Sequence, residues 1–160
     1  MANISRVSAT VHIDMPRPEA WELLRDLSVA HKYVPGVIKT EISTELKEGI
    51  GASRKVYQTE SKAIDETVEE WNDGFGFMIR LHIGHDGPPL PFKEAHFRYA
   101  IDDNGTGTTL TTSLSYVMLW GWAGHLLDRI LLNKIIKGRI RKVAQEMKSY
   151  YESAQNVTPR

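Results

Sequence analysis

The chain has 160 residues, 41% hydrophobic and 25% charged, the size of one domain with enough apolar material for a sizeable core. Lys plus Arg and Asp plus Glu both number 20, so overall charge predicts no nucleic-acid partner. The absence of cysteine excludes disulfides, thiol nucleophiles and thiolate-held metals. The opening segment, through Val7, carries no apolar run behind a basic start, so no signal peptide is expected. The stretch nearest to a membrane span, Val117 to Ile136, is broken by His125, Asp128, Arg129 and Lys134. The expectation is a cytoplasmic protein without stable membrane insertion.

Val7, Ala9, Val11 and Ile13 alternate with polar residues and predict a half-buried strand. Asp14 is placed to cap a helix starting near Pro16 or Pro18, whose apolar face is Ala20, Trp21, Leu23, Leu24 and Leu27. Ser28 to Gly36 reads as a second small helix or turn. Six strands follow, over Val37–Glu45, Ala52–Thr59, Lys62–Trp71, Phe75–Ile83, Ala95–Ile101 and Thr108–Met118. Gly49-Ile50-Gly51 and Asn72-Asp73-Gly74 mark turns, and Gly84 to Pro91 is a longer loop.

The last quarter reads as one long helix. Leu132, Ile136, Ile140, Val143, Met147 and Tyr150 fall three or four residues apart and draw one apolar stripe. Its start is apolar on a second face, through Leu127, Leu131 and Ile135, behind Trp120 and Trp122. That face calls for a cover: the loop Pro88–Phe92, a second copy of the chain in a homodimer, or a lipid surface. Gly121 and Gly124 would let the helix entry flex. Arg129 to Lys148 holds seven bases and one acid, either a solvated helix back or a face for an anionic membrane.

Hairpin geometry suggests which side chains face the helix. Phe77, Ile79, Leu81 and Ile83 are the more apolar set of their strand. Pairing Leu81 with Phe97 and Ile79 with Tyr99 brings Ala95, Ile101, Leu110, Thr112, Leu114 and Tyr116 to the same inner face. It puts Arg80, His82, His96 and Arg98 outside. A slip of one residue would invert every side chain.

Three local features in this order resemble the Bet v 1/START-related (SRPBCC) superfamily, polyketide cyclase/dehydrase-like. They are Met15-Pro-Arg-Pro-Glu-Ala-Trp21 with Asp26 and Pro35-Gly36-Val37; Gly49-Ile-Gly-Ala-Ser-Arg54 followed by Glu66-Thr67-Val68; and the single closing helix. The resemblance implies an α+β helix-grip fold: a seven-stranded antiparallel sheet wrapped around a long C-terminal helix, with two short helices after the first strand. It further implies one domain over 1–155 with a flexible tail 156–160. An internal cavity would hold a small hydrophobic molecule, or serve a cyclase or dehydratase.

Several constellations then matter. Arg54 shares a strand face with Ala52, Val56 and Gln58; Glu66 shares one with Ile64, Val68 and Glu70. On an inner face the two should be paired, because a lone buried charge is costly; outside, they are an ordinary cross-strand ion pair. Tyr99, Thr112 and Tyr116 would add hydroxyls to an apolar wall of Phe77, Ile79, Leu81, Phe97 and Leu114, with Trp122 at the mouth. The alternative for the tyrosines is core packing. His82, His85, Asp86 and His96 match no metal motif, and Arg80 and Arg98 beside them oppose a divalent ion. Gly49-x-Gly51 lacks the third glycine and the βαβ setting of a dinucleotide fingerprint. No cofactor and no metal are expected. The rival to a ligand cavity is a protein- or membrane-interaction module built on Trp120 and Trp122.

Overall fold

A computed structural model describes residues 3–157 of the chain. The elements run β1 (Ile4–Ile13), α1 (Arg17–Leu24), a 3₁₀ helix (Leu27–Lys32), β2 (Lys39–Ile42), β3 (Ser53–Tyr57), β4 (Ala63–Asn72), β5 (Gly76–His82), β6 (Phe92–Asp103), β7 (Thr108–Met118), α2 (Gly121–Leu127), a π-helical turn (Asp128–Leu132) and α3 (Asn133–Val157). α3 thus includes two residues of the expected tail, and 158–160 lie outside the described residues.

Seven antiparallel strands form one sheet in the order β1-β7-β6-β5-β4-β3-β2. α3 packs across its concave face, mainly against β1 and β7, with Ile136, Ile140, Val143, Met147 and Tyr151 buried. This is the helix-grip architecture. The buried stripe continues from Met147 to Tyr151, four residues on, while Tyr150 stays half-buried.

Local sequence explains most of this, with instructive departures. Asp14 does not cap α1: Pro16 holds the N-cap position without a side-chain bond, and Pro18 lies in the first turn. The 3₁₀ helix is capped instead, by Asp26 accepting from the Ser28 N–H at 3.0 Å. β5 and β6 pair as Ile79 with Phe97 and Phe77 with Tyr99, two residues away from the expected register. A slip of two preserves the faces, so the inner set is as expected except at Ile83, which lies beyond β5 in an isolated bridge to Asp86.

A β-bulge between Val68 and Glu70 changes the parity of β4. Val68 and Trp71 both face the core, and Trp71 stacks on Phe77 at 5.5 Å between ring centroids. Glu70, expected on the face of Glu66, is turned outward, where Arg98 donates to it at 2.5 Å.

The closing helix runs without a break over 37 residues and contains the π turn. The buried line runs through the turn at steps of four: Gly124 ahead of it, Asp128 within it, and Ile136 and Ile140 beyond it. Asp128 accepts from Ser5 Oγ at 2.6 Å and from Tyr116 Oη at 2.5 Å, tying the turn to β1 and β7. The second stripe stays uncovered, since Leu127, Leu131 and Ile135 are exposed and the Pro88–Phe92 loop does not close over them.

The two glycines at the helix entry have separate roles. Trp120 and Gly121 both take left-handed backbone, φ 65° and 53°; for Trp120 this costs about 1–2 kcal/mol. Gly124 is a packing site rather than a pivot, because a Cβ there would meet the Leu119 carbonyl oxygen at 2.0 Å. Gly124→Ala should therefore destabilise by about 1–3 kcal/mol in urea unfolding. A pivot glycine in a helix would respond oppositely, gaining up to about 1 kcal/mol on the same change.

Candidate ligand-binding site

β3 and β4 place Arg54 directly opposite Glu66 on the concave face. The Arg54 side chain is 1% exposed and that of Glu66 12%. Nε of Arg54 donates to Glu66 Oε2 at 2.6 Å, and Nη1 donates to the Leu27 carbonyl oxygen at 3.0 Å. So the guanidinium is clamped between the sheet and the 3₁₀ helix. Its remaining nitrogen, Nη2, is buried and makes no well-formed hydrogen bond among the described residues, although the Tyr33 and Tyr99 hydroxyls lie within reach of the guanidinium.

Around it the interior is aromatic. Trp21, Trp71, Phe77, Tyr99 and Phe97 form a chain of ring contacts with centroids 4.6 to 5.5 Å apart. Tyr33, at the end of the 3₁₀ helix, and Tyr151, on α3, complete the cluster. The hydroxyls of Tyr33 and Tyr151 and the indole N–H of Trp21 are also buried without partners among the described residues. An unsatisfied buried polar atom costs about 1–3 kcal/mol, so several in one interior are a feature to be explained.

The electrostatics are those of a cation among neutral phenols. Burial works against the Arg54 charge, but the Glu66 carboxylate and the Tyr33 and Tyr99 oxygens outweigh it and hold the guanidinium ionised. Burial lifts the Tyr33, Tyr99 and Tyr151 phenols above the usual tyrosine value, and for all three the Arg54 charge pulls back. Nothing in this environment removes a proton from them at neutral pH. The cluster therefore presents N–H and O–H donors and one carboxylate.

The remaining expected site residues divide. Phe77, Ile79, Phe97, Tyr99 and Leu114 are buried on the inner face, and Leu81 is half-buried there. Thr112 and Tyr116 also face inward, but their hydroxyls are engaged: Thr112 Oγ1 donates to the Ile140 carbonyl at 3.3 Å, and Tyr116 Oη to Asp128. Burial, then the Asp128 bond, push the Tyr116 phenol up to about 12. Trp122 stands apart from the interior, 80% exposed. His82 and His96 lie on the outer face, His82 bonded to Thr67 and the Gly84 carbonyl, His96 to Glu69. Sequence reasoning passed over Tyr33 and Tyr151. Tyr151 had a signal, since it falls four residues after Met147.

Two grooves mark the surface of the described residues, among others. One, of about 1040 Å³, lies between α1, the β6–β7 turn and the end of α3. The other, of about 370 Å³, lies at the β7–α2 junction, lined by Lys93, Met118, Trp120, Trp122 and His125 among others. Neither is lined by Arg54, Glu66 or Tyr99. Met118 lines the second groove and also belongs to the core.

A family model described as polyketide cyclase / dehydrase and lipid transport matches residues 5–152. No curated protein matches the chain. Among solved structures, the Zhui aromatase/cyclase from Streptomyces sp. R1128 superposes with a TM-score of 0.73 at 15% identity, covering 97% of this chain and 98% of its own. Norcoclaurine synthase from Thalictrum flavum, in complex with dopamine and hydroxybenzaldehyde, gives 0.70 at 11% identity, covering 99% and 91%. TTHA0849 from Thermus thermophilus gives 0.70 at 20% identity, covering 94% and 99%. At such identities the likeness is one of fold.

Two outcomes test this geometry. Tyr33→Phe and Tyr151→Phe each remove a hydroxyl without a partner, so unfolding stability should hold or rise by up to about 1 kcal/mol. Glu66→Leu strands a fully buried cation and should cost about 3–5 kcal/mol, with much of that loss recovered in the double variant with Arg54→Leu. In alkali, the sign follows from the raised phenols. The neutral form is favoured in the fold, so stability is complete below the ordinary tyrosine value of 10.0 and falls as pH rises from there towards about 12, the Tyr116 value. Equilibrium unfolding with pH, followed by phenolate absorbance, checks it.

Proposed function

The chain belongs to the polyketide cyclase/dehydrase and lipid transport family, and on that footing we propose that it binds a small apolar or amphipathic molecule between sheet and helix. An acceptor oxygen of that molecule, from a carbonyl or carboxylate, is seated at Arg54. The observation that carries this reading is the set of buried donors without partners, Arg54 Nη2 and the Tyr33 and Tyr151 hydroxyls. A ligand oxygen would satisfy them; the apolar remainder of the ligand would lie along Phe77, Ile79, Phe97 and Leu114. Affinity would come chiefly from apolar burial, at about 25 cal/mol per Å² before association costs.

Neither of these grooves reaches Arg54, so entry through them would require side chains to part. Two places favour it. Ile64, Glu66 and Leu81 form the half-buried margin of the inner face, away from the strands that α3 covers. Met118 connects the groove at α2 with the core.

The same cluster favours turnover as a second reading. Glu66 is a carboxylate near phenols that burial keeps protonated. A base and an acid on one side of an apolar chamber are what enolisation and loss of water from a polyketide-like carbonyl compound require. Arg54 would hold the oxygen on which negative charge develops.

Native mass spectrometry of the purified protein, with displacement of an anilinonaphthalene sulfonate probe, tests binding. Tyr33→Phe and Tyr151→Phe should each weaken retention by about 2–10-fold, the value of one hydrogen bond. Thr112→Val should affect stability instead, because that hydroxyl already serves Ile140. A chain that retains nothing and binds no apolar probe would sink the carrier reading. Turnover is read as loss of one water from a polyketide-like substrate, abolished by Glu66→Gln; a product stream unchanged by that variant ends the enzymatic reading.

A further inference from the structure

We propose that α2 and the π turn form a docking face for the surface of an anionic lipid bilayer. The face is unusually apolar for a solvated helix. Trp122 is 80% exposed, Ile130 66% and Trp120 65%, with Leu126 and Leu131 exposed beside them. Leu90, 76% exposed, joins this end of the molecule, because the Leu119 N–H donates to the neighbouring Pro91 carbonyl at 3.0 Å. Scattered exposed apolar residues are ordinary, but a contiguous patch of this kind marks an interaction site.

Charge selects the occupant. The patch passes along the helix into exposed bases: Arg129, Lys134, Lys137, Arg141 and Lys142. None of them forms an ion pair among the described residues. Between Gly121 and Lys148 the acids are Asp128, which is buried, and Glu146. Steps of four put Leu126, Ile130 and Lys134 on one line of the helix. An apolar, tryptophan-bearing end that grades into a cationic flank matches the boundary between acyl chains and anionic headgroups. A second copy of this chain fits less well. A two-fold interface on the face would set its bases against the same bases of the partner, with one exposed acid to offset them.

The face is also held ready. Asp128 ties the turn to β1 and β7, and Gly124 seats α2 against the Leu119 carbonyl. The tryptophans are therefore presented by a fixed scaffold, and binding orders no new segment. No helix among the described residues is long and apolar enough to cross a membrane, so attachment is superficial. This inference stands apart from whatever the interior binds, and its readout involves no interior ligand.

The test is co-sedimentation of the full chain with phosphatidylcholine vesicles and with equal-part phosphatidylcholine/phosphatidylglycerol vesicles. Binding should favour the anionic vesicles and weaken with added salt. Trp122→Ser with Ile130→Ser should reduce it by about tenfold or more, and Lys134→Glu with Arg141→Glu by a similar factor on anionic vesicles. In the unaltered protein, spin-labelled lipid should quench emission from Trp120 and Trp122, a measurement independent of the variants. Absence of vesicle binding at low salt overturns the proposal. So does equal binding to neutral vesicles with the charge-reversed variant unaffected. A stable dimer in solution that the Trp122/Ile130 variant dissociates, without vesicle binding by the unaltered chain, assigns the face to a second copy instead.

Discussion

One helix cannot cover a seven-stranded sheet. α3 is 25 residues long, about 37 Å, and about 10 Å across. Seven strands about 4.8 Å apart span roughly 30 Å, so α3 lies over little more than β1 and β7. The concave face over β3, β4 and β5 needs other cover. The 3₁₀ helix supplies some, and large aromatic side chains supply the rest, from Trp21 and Tyr33 on one side to Phe97 and Tyr99 on the other. Most of what is distinctive about this interior lies beyond the strands that α3 covers, with Tyr151 as the helix's own contribution to it.

Arg54 is where that constraint meets chemistry. A guanidinium with a 1% exposed side chain is stable there because Glu66 and the Leu27 carbonyl hold two of its nitrogens. The third nitrogen and two nearby phenols have no partner among the described residues. A fold optimised only for stability would pair such atoms or replace them with apolar ones. Keeping them unpaired lowers stability and leaves donors available, the exchange typical of a binding site.

At the opposite side of the same geometry, the entry to the closing helix follows a different rule. There the buried line is held by Gly124 and Asp128, and the large apolar residues Trp122, Leu126, Ile130 and Leu131 point to solvent. The buried Asp128, bonded to two hydroxyls, keeps that segment attached while Gly124 keeps it close. The helix is thus scaffold beyond Ile136 and surface before it.

Much of this was legible in the residues themselves. Alternation and turn chemistry mark all seven strands, the three-and-four spacing marks the closing helix, and the two-residue repeat puts Arg54 and Glu66 each on a definite strand face, leaving inner or outer to the fold. Those are local periodicities, set by backbone geometry. Other features depend on contacts between residues far apart in the chain. The loop between β5 and β6 is too long to set register as a tight turn does, so pattern alone excludes odd slips and leaves even ones open; the sheet pairs Ile79 with Phe97. The bulge that sends Glu70 outward and Trp71 inward, the engagement of Thr112 and Tyr116 by the helix, and the meeting of Tyr33, Tyr99 and Tyr151 around Arg54 are of this kind. Periodicity determined most of the residues that face inward, with the β4 bulge and the end of β5 as exceptions. Only packing decided which of them meet, because the partner of a buried polar atom lies on another element whose position is set by the whole fold.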